Sequence, residues 1–296
     1  MSSIKNVILV GAGGNLGPAI LEQLIASPLN VTVLSRKEST STFPSEVKVI
    51  KVDYTDASAL ASALKGQDAV ISVLATAAGA VQPKIIDAAI AAGVKRFIPT
   101  EFGSDTASAD VRAIVPAFEG KKAVVDYLKN REKEISWTAL VTGPFFDWGL
   151  KVGFLGPNLK EKTAEVIDHG TAPFTATNLA TIGKAVVSIL QHEAETKNQY
   201  VYISSFRTSQ AEIVALIEKF TGDKLTVTSV DSNELLAEAA KKIQAGNHFG
   251  VFDQIKVSIV SEKRLGDYTT VGLWNDRLGL EKEDIEETVK KVLGNA

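Results

Sequence analysis

Short apolar runs alternate with amphipathic stretches through the first half of the chain. Val7-Ile8-Leu9-Val10 within residues 5–11 predicts a buried strand, and runs at 30–35, 47–52, 69–75, 95–99 and 136–142 predict five more. Between them, 16–26 sets Ile20, Leu21, Leu24 and Ile25 at helical spacing, and a helix is expected to begin at about Ala57. A third spans 80–93 and ends at Gly93, a residue suited to the left-handed turn that closes a helix; a fourth is expected at about 116–130. Strands and helices alternating at this pitch predict an α/β fold: a Rossmann-like, doubly wound parallel sheet with helices on both faces.

After about residue 150 the pattern loosens. Gly149, Gly153, Gly156, Pro157 and Gly170 punctuate a stretch that reads as loop-rich. A helix at about 178–193 and a strand at about 198–204 look like a return to the main sheet. Residues 209–221 open with Ser209 as an N-cap and repeat apolar residues at helical spacing. A strand at 224–230, a helix at 232–243 and a last helix at 281–293, acidic first and basic last, complete the reading. The organisation expected is a dinucleotide-binding domain over 1–150, with returning segments near 175–205. A smaller α/β substrate lobe over 151–296 interleaves with it and leaves a cleft between the two.

Composition narrows the chemistry. The 296 residues include no cysteine, which removes disulfides, thiolate catalysis and thiolate-bound metals. The three histidines, His169, His192 and His248, form no close pair, so no metal site is expected. A net charge of −3 with scattered basic residues offers no nucleic-acid surface. No apolar run approaches membrane-spanning length and no leader segment precedes the first strand, so a cytoplasmic protein is expected, of unspecified oligomeric state.

The first strand runs straight into Gly11-Ala-Gly13-Gly14-Asn15-Leu16-Gly17. Glycines at a strand-to-helix turn let the backbone approach a ligand closely, and the amides that start the helix favour an anion. The spacing is G-x-x-G-x-x-G on Gly11, Gly14 and Gly17, with Gly13 extra, rather than strict G-x-G-x-x-G. Gly11, Gly13, Gly14, Asn15, Leu16 and Gly17 are therefore the expected cradle of a dinucleotide pyrophosphate. At the end of the second strand stand Arg36 and Lys37, with no acid before Glu38. Two cations suit the 2′-phosphate of NADPH better than the 2′-hydroxyl of NAD. Asp53 after the third strand is expected either to touch adenine or to cap the helix at Ala57.

The reactive residue is less obvious. None of the five tyrosines has a lysine four residues later: Tyr54, Tyr127, Tyr200, Tyr202 and Tyr268 are followed there by Ser58, Arg131, Ser204, Phe206 and Gly272. The Tyr-x-x-x-Lys pair of orthodox short-chain dehydrogenases is absent. On the helix at 116–130, Phe118, Val124, Val125 and Leu128 form one apolar arc, and Lys121 falls inside it. Lys122 lies at the polar edge, near Asp126 and Lys129. An inward lysine must find a partner, reach a cleft or suffer a lowered pKa; the alternative is a stem that packs and a head that reaches water.

Several of these segments resemble the isoflavone-reductase-like, or NmrA-like, branch of the atypical short-chain dehydrogenases/reductases. Val94-Lys-Arg-Phe-Ile-Pro-Thr-Glu-Phe-Gly103 is similar to the family's KRFxPSEFG, with Thr100 where serine is usual. Gln82 to Gly93 resembles its Q-x-x-x-I-x-A-x-x-x-A-G helix, and Gly11, Gly14 and Gly17 its G-x-T-G-x-x-G turn. Ser35-Arg36 with Glu38-Ser39 resembles the V-R-E-S run, while Ser209-Gln-Ala-Glu-Ile-Val and Asp267-Tyr-Thr-Thr-Val resemble later segments. Phe118-x-x-Lys121 matches the spacing of the family's catalytic lysine, so the resemblance implies that role for Lys121. Ala75, Thr76 and Gln82 are expected as further cofactor contacts. Two departures stand out: Val125 replaces the arginine four residues after the lysine, and Thr142-Gly-Pro-Phe-Phe-Asp-Trp148 replaces N-C-F-x-x-Y-F. Plant phenylpropanoid substrates therefore do not carry over. Phe145 is the expected nicotinamide-side contact. Phe146 and Trp148 are expected to line an aromatic-tolerant pocket or, equally, to pack in the core.

The expected function is an NADPH-dependent reductase of a small aromatic, quinone- or enone-type molecule, with Lys121 assisting hydride transfer. The alternative is a regulator that binds NADP(H) and a partner protein without turnover. A sugar-nucleotide-modifying enzyme is disfavoured by the missing tyrosine pair.

Overall fold

The computed structural model describes residues 4–294, with residues 76–78 described by their backbone alone. In chain order, β1 (Asn6–Val10), α1 (Gly17–Ile25), β2 (Asn30–Arg36), β3 (Lys48–Val52), α2 (Ala57–Leu64), β4 (Ala69–Ser72), α3 (Gln82–Ala91) and β5 (Arg96–Ile98) follow the expected alternation. Next come α4 (Ala109–Ile114), α5 (Glu119–Lys129), β6 (Ser136–Val141) and α6 (Phe146–Lys151). The second half supplies β7 (Pro157–Asn158), β8 (Thr163–Ile167), β9 (Phe174–Ala176), α7 (Leu179–Gln191), β10 (Gln199–Tyr202) and β11 (Phe206–Thr208). It ends with α8 (Gln210–Thr221), β12 (Thr226–Val230), α9 (Ser232–Gln244), α10 (Phe249–Val260) and α11 (Ile285–Gly294).

Seven strands form one sheet in the order β10-β6-β5-β4-β1-β2-β3, and every pairing in it is parallel. The return of β10 beside β6 matches the sequence reading. Because both faces are covered, β1 is apolar at every inner position rather than alternating with polar residues. Val7 and Leu9 point into one core with Ile20 and Leu24 of α1 and Ile182 and Ile189 of α7. Ile8 and Val10 point into the opposite core with Leu60 of α2, Ile85 of α3 and Val125 and Leu128 of α5. The strand order reverses between β1 and β4, and ligands of open α/β sheets bind beyond the strand ends at such a point.

The stretch after residue 150 holds more regular structure than its glycines suggested. β12, β8 and β7 form a small sheet and β11 pairs with β9. These elements share a third core in which Phe146, Phe174, Phe206, Ile213, Val257 and Val289 are buried. Ser209 caps α8 in a full capping box with Glu212. α10, which packs on α9, was not anticipated. The last helix starts at Ile285 rather than 281. Glu283 is drawn away to accept from Asn178 Nδ2 at 2.9 Å and Thr181 Oγ1 at 2.6 Å, and Asp284 accepts from Glu286 N at 2.7 Å in the first turn. Among the described residues no helix is long and apolar enough to cross a membrane.

Candidate active site

A cleft of about 500 Å³ opens over the carboxyl ends of β1, β4, β5 and β6. One wall is the β1–α1 turn, where Gly14, Asn15 and Leu16 line the cleft. The glycines of this turn have different reasons to be glycine. Gly11 has φ +90°, and a Cβ there would lie 2.6 Å from the Val73 carbonyl oxygen. A Cβ at Gly17 would lie 2.4 Å from the Ala12 carbonyl, so this position lets α1 pack against the turn. At Gly14 a Cβ would meet only Gly11 O at 3.5 Å, leaving its open side to the cleft. Gly13 does not face this cleft: a Cβ there would run into Ser41 Oγ at 2.6 Å, and the residue lines a neighbouring groove with Ser41, Thr42 and Phe43. Leu16 at the N-cap makes no side-chain cap and Pro18 lacks an amide proton. The remaining amides of the first turn thus keep the donors that a helix N-terminus offers an anion.

The floor comes from the segments after β4 and β5. Val73, Leu74 and Ala75 line it on one side, and Thr100 to Ser104 on the other. Thr100 Oγ1 donates to Ser72 O at 2.9 Å and accepts from Leu74 N at 3.1 Å, tying the two strand ends together. A hydroxyl is what this position needs, and threonine supplies it as serine would. Gln82 is buried, and its Oε1 accepts from Thr100 N at 2.9 Å. Its side-chain oxygen is therefore spent on the end of β5, beside rather than inside the cleft. Phe102 has φ +35°, an uncommon conformation for a bulky residue, and its amide donates to Leu140 O at 2.8 Å. The side chain of Thr76 lies outside the described residues.

Lys121 projects from α5 into the cleft. Its Nζ donates to the Glu101 carbonyl oxygen at 2.7 Å and lies 5.5 Å from the centre of the Phe118 ring. Burial lowers its pKa, and the Glu101 carboxylate opposes that shift. The inward lysine has thus found both a partner and a cleft. Lys122 pairs with Asp126 at 2.5 Å on the outer side of the helix. Glu101 is 1% exposed. Its Oε2 accepts from Thr106 Oγ1 at 2.5 Å, while Oε1 has no hydrogen-bond partner among the described residues. Burial pushes this carboxyl up to about 7, against the pull of Lys121 and the Thr106 hydrogen bond.

The far wall is aromatic. Phe145 and Trp148 line the cleft edge-to-face, with ring centres 6.3 Å apart, and Phe154 continues the wall. Phe146 does not join them. It is fully buried and packs against Phe206 at 4.9 Å, in the third core. At the start of α6 successive side chains diverge by about 100°, so with Phe145 on the cleft Phe146 must turn inward. Phe252, Ile255 and Ile259, on one face of α10, close the cleft from the second half of the chain. Sequence reasoning missed these three, although their i, i+3, i+7 spacing marks one side of a helix.

The cations at the end of β2 lie beyond the cleft on the same edge of the sheet. Arg36 and Lys37 are exposed, and neither forms an ion pair among the described residues. Asp53 does not cap α2: its Oδ1 accepts from Thr55 N at 2.8 Å and Thr55 Oγ1 at 2.7 Å, whereas Asp56 accepts from Ala59 N at 2.9 Å. The Thr55 hydrogen bonds hold the Asp53 carboxyl below its ordinary range, helped by Lys37 and Lys84.

Comparison with known proteins agrees with this architecture. The model of the NmrA-like family matches residues 3–272. The oxidoreductase aprR of Aspergillus flavus is 36% identical over 292 residues, covering 97% of this chain and 98% of its own. A crystal structure of isoflavone reductase superposes with a TM-score of 0.79 at 21% identity, covering 98% and 99% of the two chains. The leucoanthocyanidin reductase–NADPH complex from Vitis vinifera gives 0.79 at 19% identity, covering 98% and 99%. The chain belongs to the NmrA-like family, whose isoflavone-reductase-like motifs it carries. It is an oxidoreductase, the class of its full-length relative.

Proposed function

We propose that this oxidoreductase binds NADPH along the glycine-turn wall and reduces a small planar organic molecule, aromatic or of the quinone or enone type, against the aromatic wall. The observation that carries this reading is a single cleft in which the uncapped start of α1 faces Lys121 across apolar walls. The Vitis vinifera reductase holds NADPH on the same fold, which supports the same cofactor here. The unpaired Arg36 and Lys37 favour a ribose that carries a phosphate.

Bound NADPH supplies a hydride from its nicotinamide ring. The rest is the work of this chain. Gly14, Asn15 and Leu16 would present backbone and helix-start amides to a pyrophosphate, Asp53 would touch adenine, and Ala75 and Phe145, both of which line the cleft, would contact the cofactor. Lys121 orients ribose and substrate and donates a proton to the oxygen or carbon that gains negative charge. The apolar walls suit a flat, uncharged body with one polar handle aimed at Lys121. Residues 1–150 with the returning segments near 175–205 would hold the cofactor, and 151–296 mainly the substrate.

Absorbance assays of NADPH and NADH oxidation over a panel of quinones, enones and aromatic carbonyls test this. At least one planar acceptor is expected to turn over, with NADPH preferred about tenfold or more over NADH. Tight NADP binding without oxidation by any acceptor, together with a captured partner protein, would overturn it in favour of a redox-sensing regulator.

A further inference from the structure

Among the described residues Glu101 is the one carboxylate that lines the cleft, and the proposed chemistry leaves its side chain without a role. Its position is unusual for a mere packing residue. The main-chain oxygen holds Lys121 Nζ at 2.7 Å, Thr106 Oγ1 fixes one carboxyl oxygen at 2.5 Å, and the other oxygen is buried without a partner. A buried carboxyl left half-satisfied is costly unless a nearby charge compensates it. We propose that Glu101 is a positioning residue for Lys121: its carbonyl aims the ammonium into the cleft, and its carboxylate is the counter-charge that keeps Lys121 a proton donor.

The surrounding charges agree with that assignment. Glu101 is faced by Lys121 and Lys122 of α5 and by Asp105 and Thr106 of its own loop. Its charge is also felt by Tyr200 of β10, whose buried hydroxyl has no partner among the described residues. Lys122 already pairs with Asp126, which leaves Lys121 as the cation that most favours ionised Glu101. Below about pH 7 Glu101 is protonated and Lys121 loses its counter-charge; above it the carboxylate forms and holds Lys121 charged against burial. The proton donor is therefore best supported between the two titrations.

The inference rests on the proposed reductase reading for its consequence, but its test does not. Competitive labelling of the unliganded full-length protein with acetic anhydride, read by mass spectrometry on the peptide carrying Lys121, follows the fraction of free amine against pH. Glu101→Gln keeps the carbonyl contact and the side-chain volume while removing the charge, so the Lys121 profile is expected to move at least about one pH unit toward acid. Thr106→Val weakens the support of the carboxylate and is expected to move it in the same direction by less. If turnover is found, Glu101→Gln also loses the acidic limb near pH 7 and brings the alkaline limb down, with KM changed less than about twofold. Lys121 profiles that coincide in wild type and both folded variants overturn the proposal, whatever the outcome of the NADPH assays. A null result in those assays alongside a shifted profile leaves the charge coupling intact and removes only the reductase reading.

Discussion

On the glycine-turn side of the cleft, a Cβ at Gly11 or Gly17 would come within 2.6 or 2.4 Å of main-chain oxygens. On the opposite side Phe252 is 48% exposed and Phe249 beside it 72%, their rings 6.0 Å apart. The two glycine positions are set by backbone sterics and admit almost no change. The opposite wall is set by side chains on an element that packs elsewhere, so it can be re-cut without disturbing the sheet. That asymmetry fits the proposed reading, in which the turn would answer to a phosphate, the same in every turnover, and the aromatic wall to a substrate.

Mutations at the two walls should therefore fail in different ways. Phe146 belongs by sequence to the aromatic segment but by structure to the third core. Phe146→Ala is expected to cost about 3–5 kcal/mol in denaturant unfolding, with KM little changed in the molecules that remain folded. Gly17→Ala forces a methyl into backbone and is expected to cost about 1–3 kcal/mol and to abolish the thermal stabilisation by added NADPH. Phe252→Ala is the mildest: stability within about 0.5 kcal/mol of wild type and NADPH affinity unchanged, with KM for a planar acceptor raised several-fold. A Gly17→Ala protein that binds NADPH normally, or a Phe252→Ala protein that loses NADPH instead of acceptor, would erase the distinction between the walls.

The difference between the walls also explains what the sequence made legible. The strands of the sheet and the glycine turn are local signals: a continuous apolar run needs cover on both faces, and glycines at a strand end mark close backbone approach. Lys121 could be found because a cation within an apolar arc has few explanations. Phe146 was not separable from Phe145, because which of two neighbouring aromatics faces a cleft depends on where α6 begins. α10 was obscured by Gly250 within it, Gly246 just ahead of it and Asp253 and Lys256 between its apolar positions. Glu101 sat inside the most specific motif and still gave no sign of burial, since its environment is made by Lys121, Thr106 and Tyr200, each distant from it in a different degree along the chain. Gln82 shows the same dependence on the fold: that its oxygen accepts from Thr100 N is visible only once α3 is packed beside the end of β5.

The proposed chemistry turns on Lys121, in a cleft that would also hold NADPH. Wild type and Lys121→Met are to be compared in two measurements on the same preparations: NADPH affinity by calorimetry and the rate of NADPH oxidation with the best acceptor of the panel. The variant is expected to fold, to bind NADPH within about threefold of wild type, and to lose about a hundredfold or more in kcat, the scale on which a positioned proton donor acts. A Lys121→Met protein that oxidises NADPH at the wild-type rate would contradict the role proposed for Lys121.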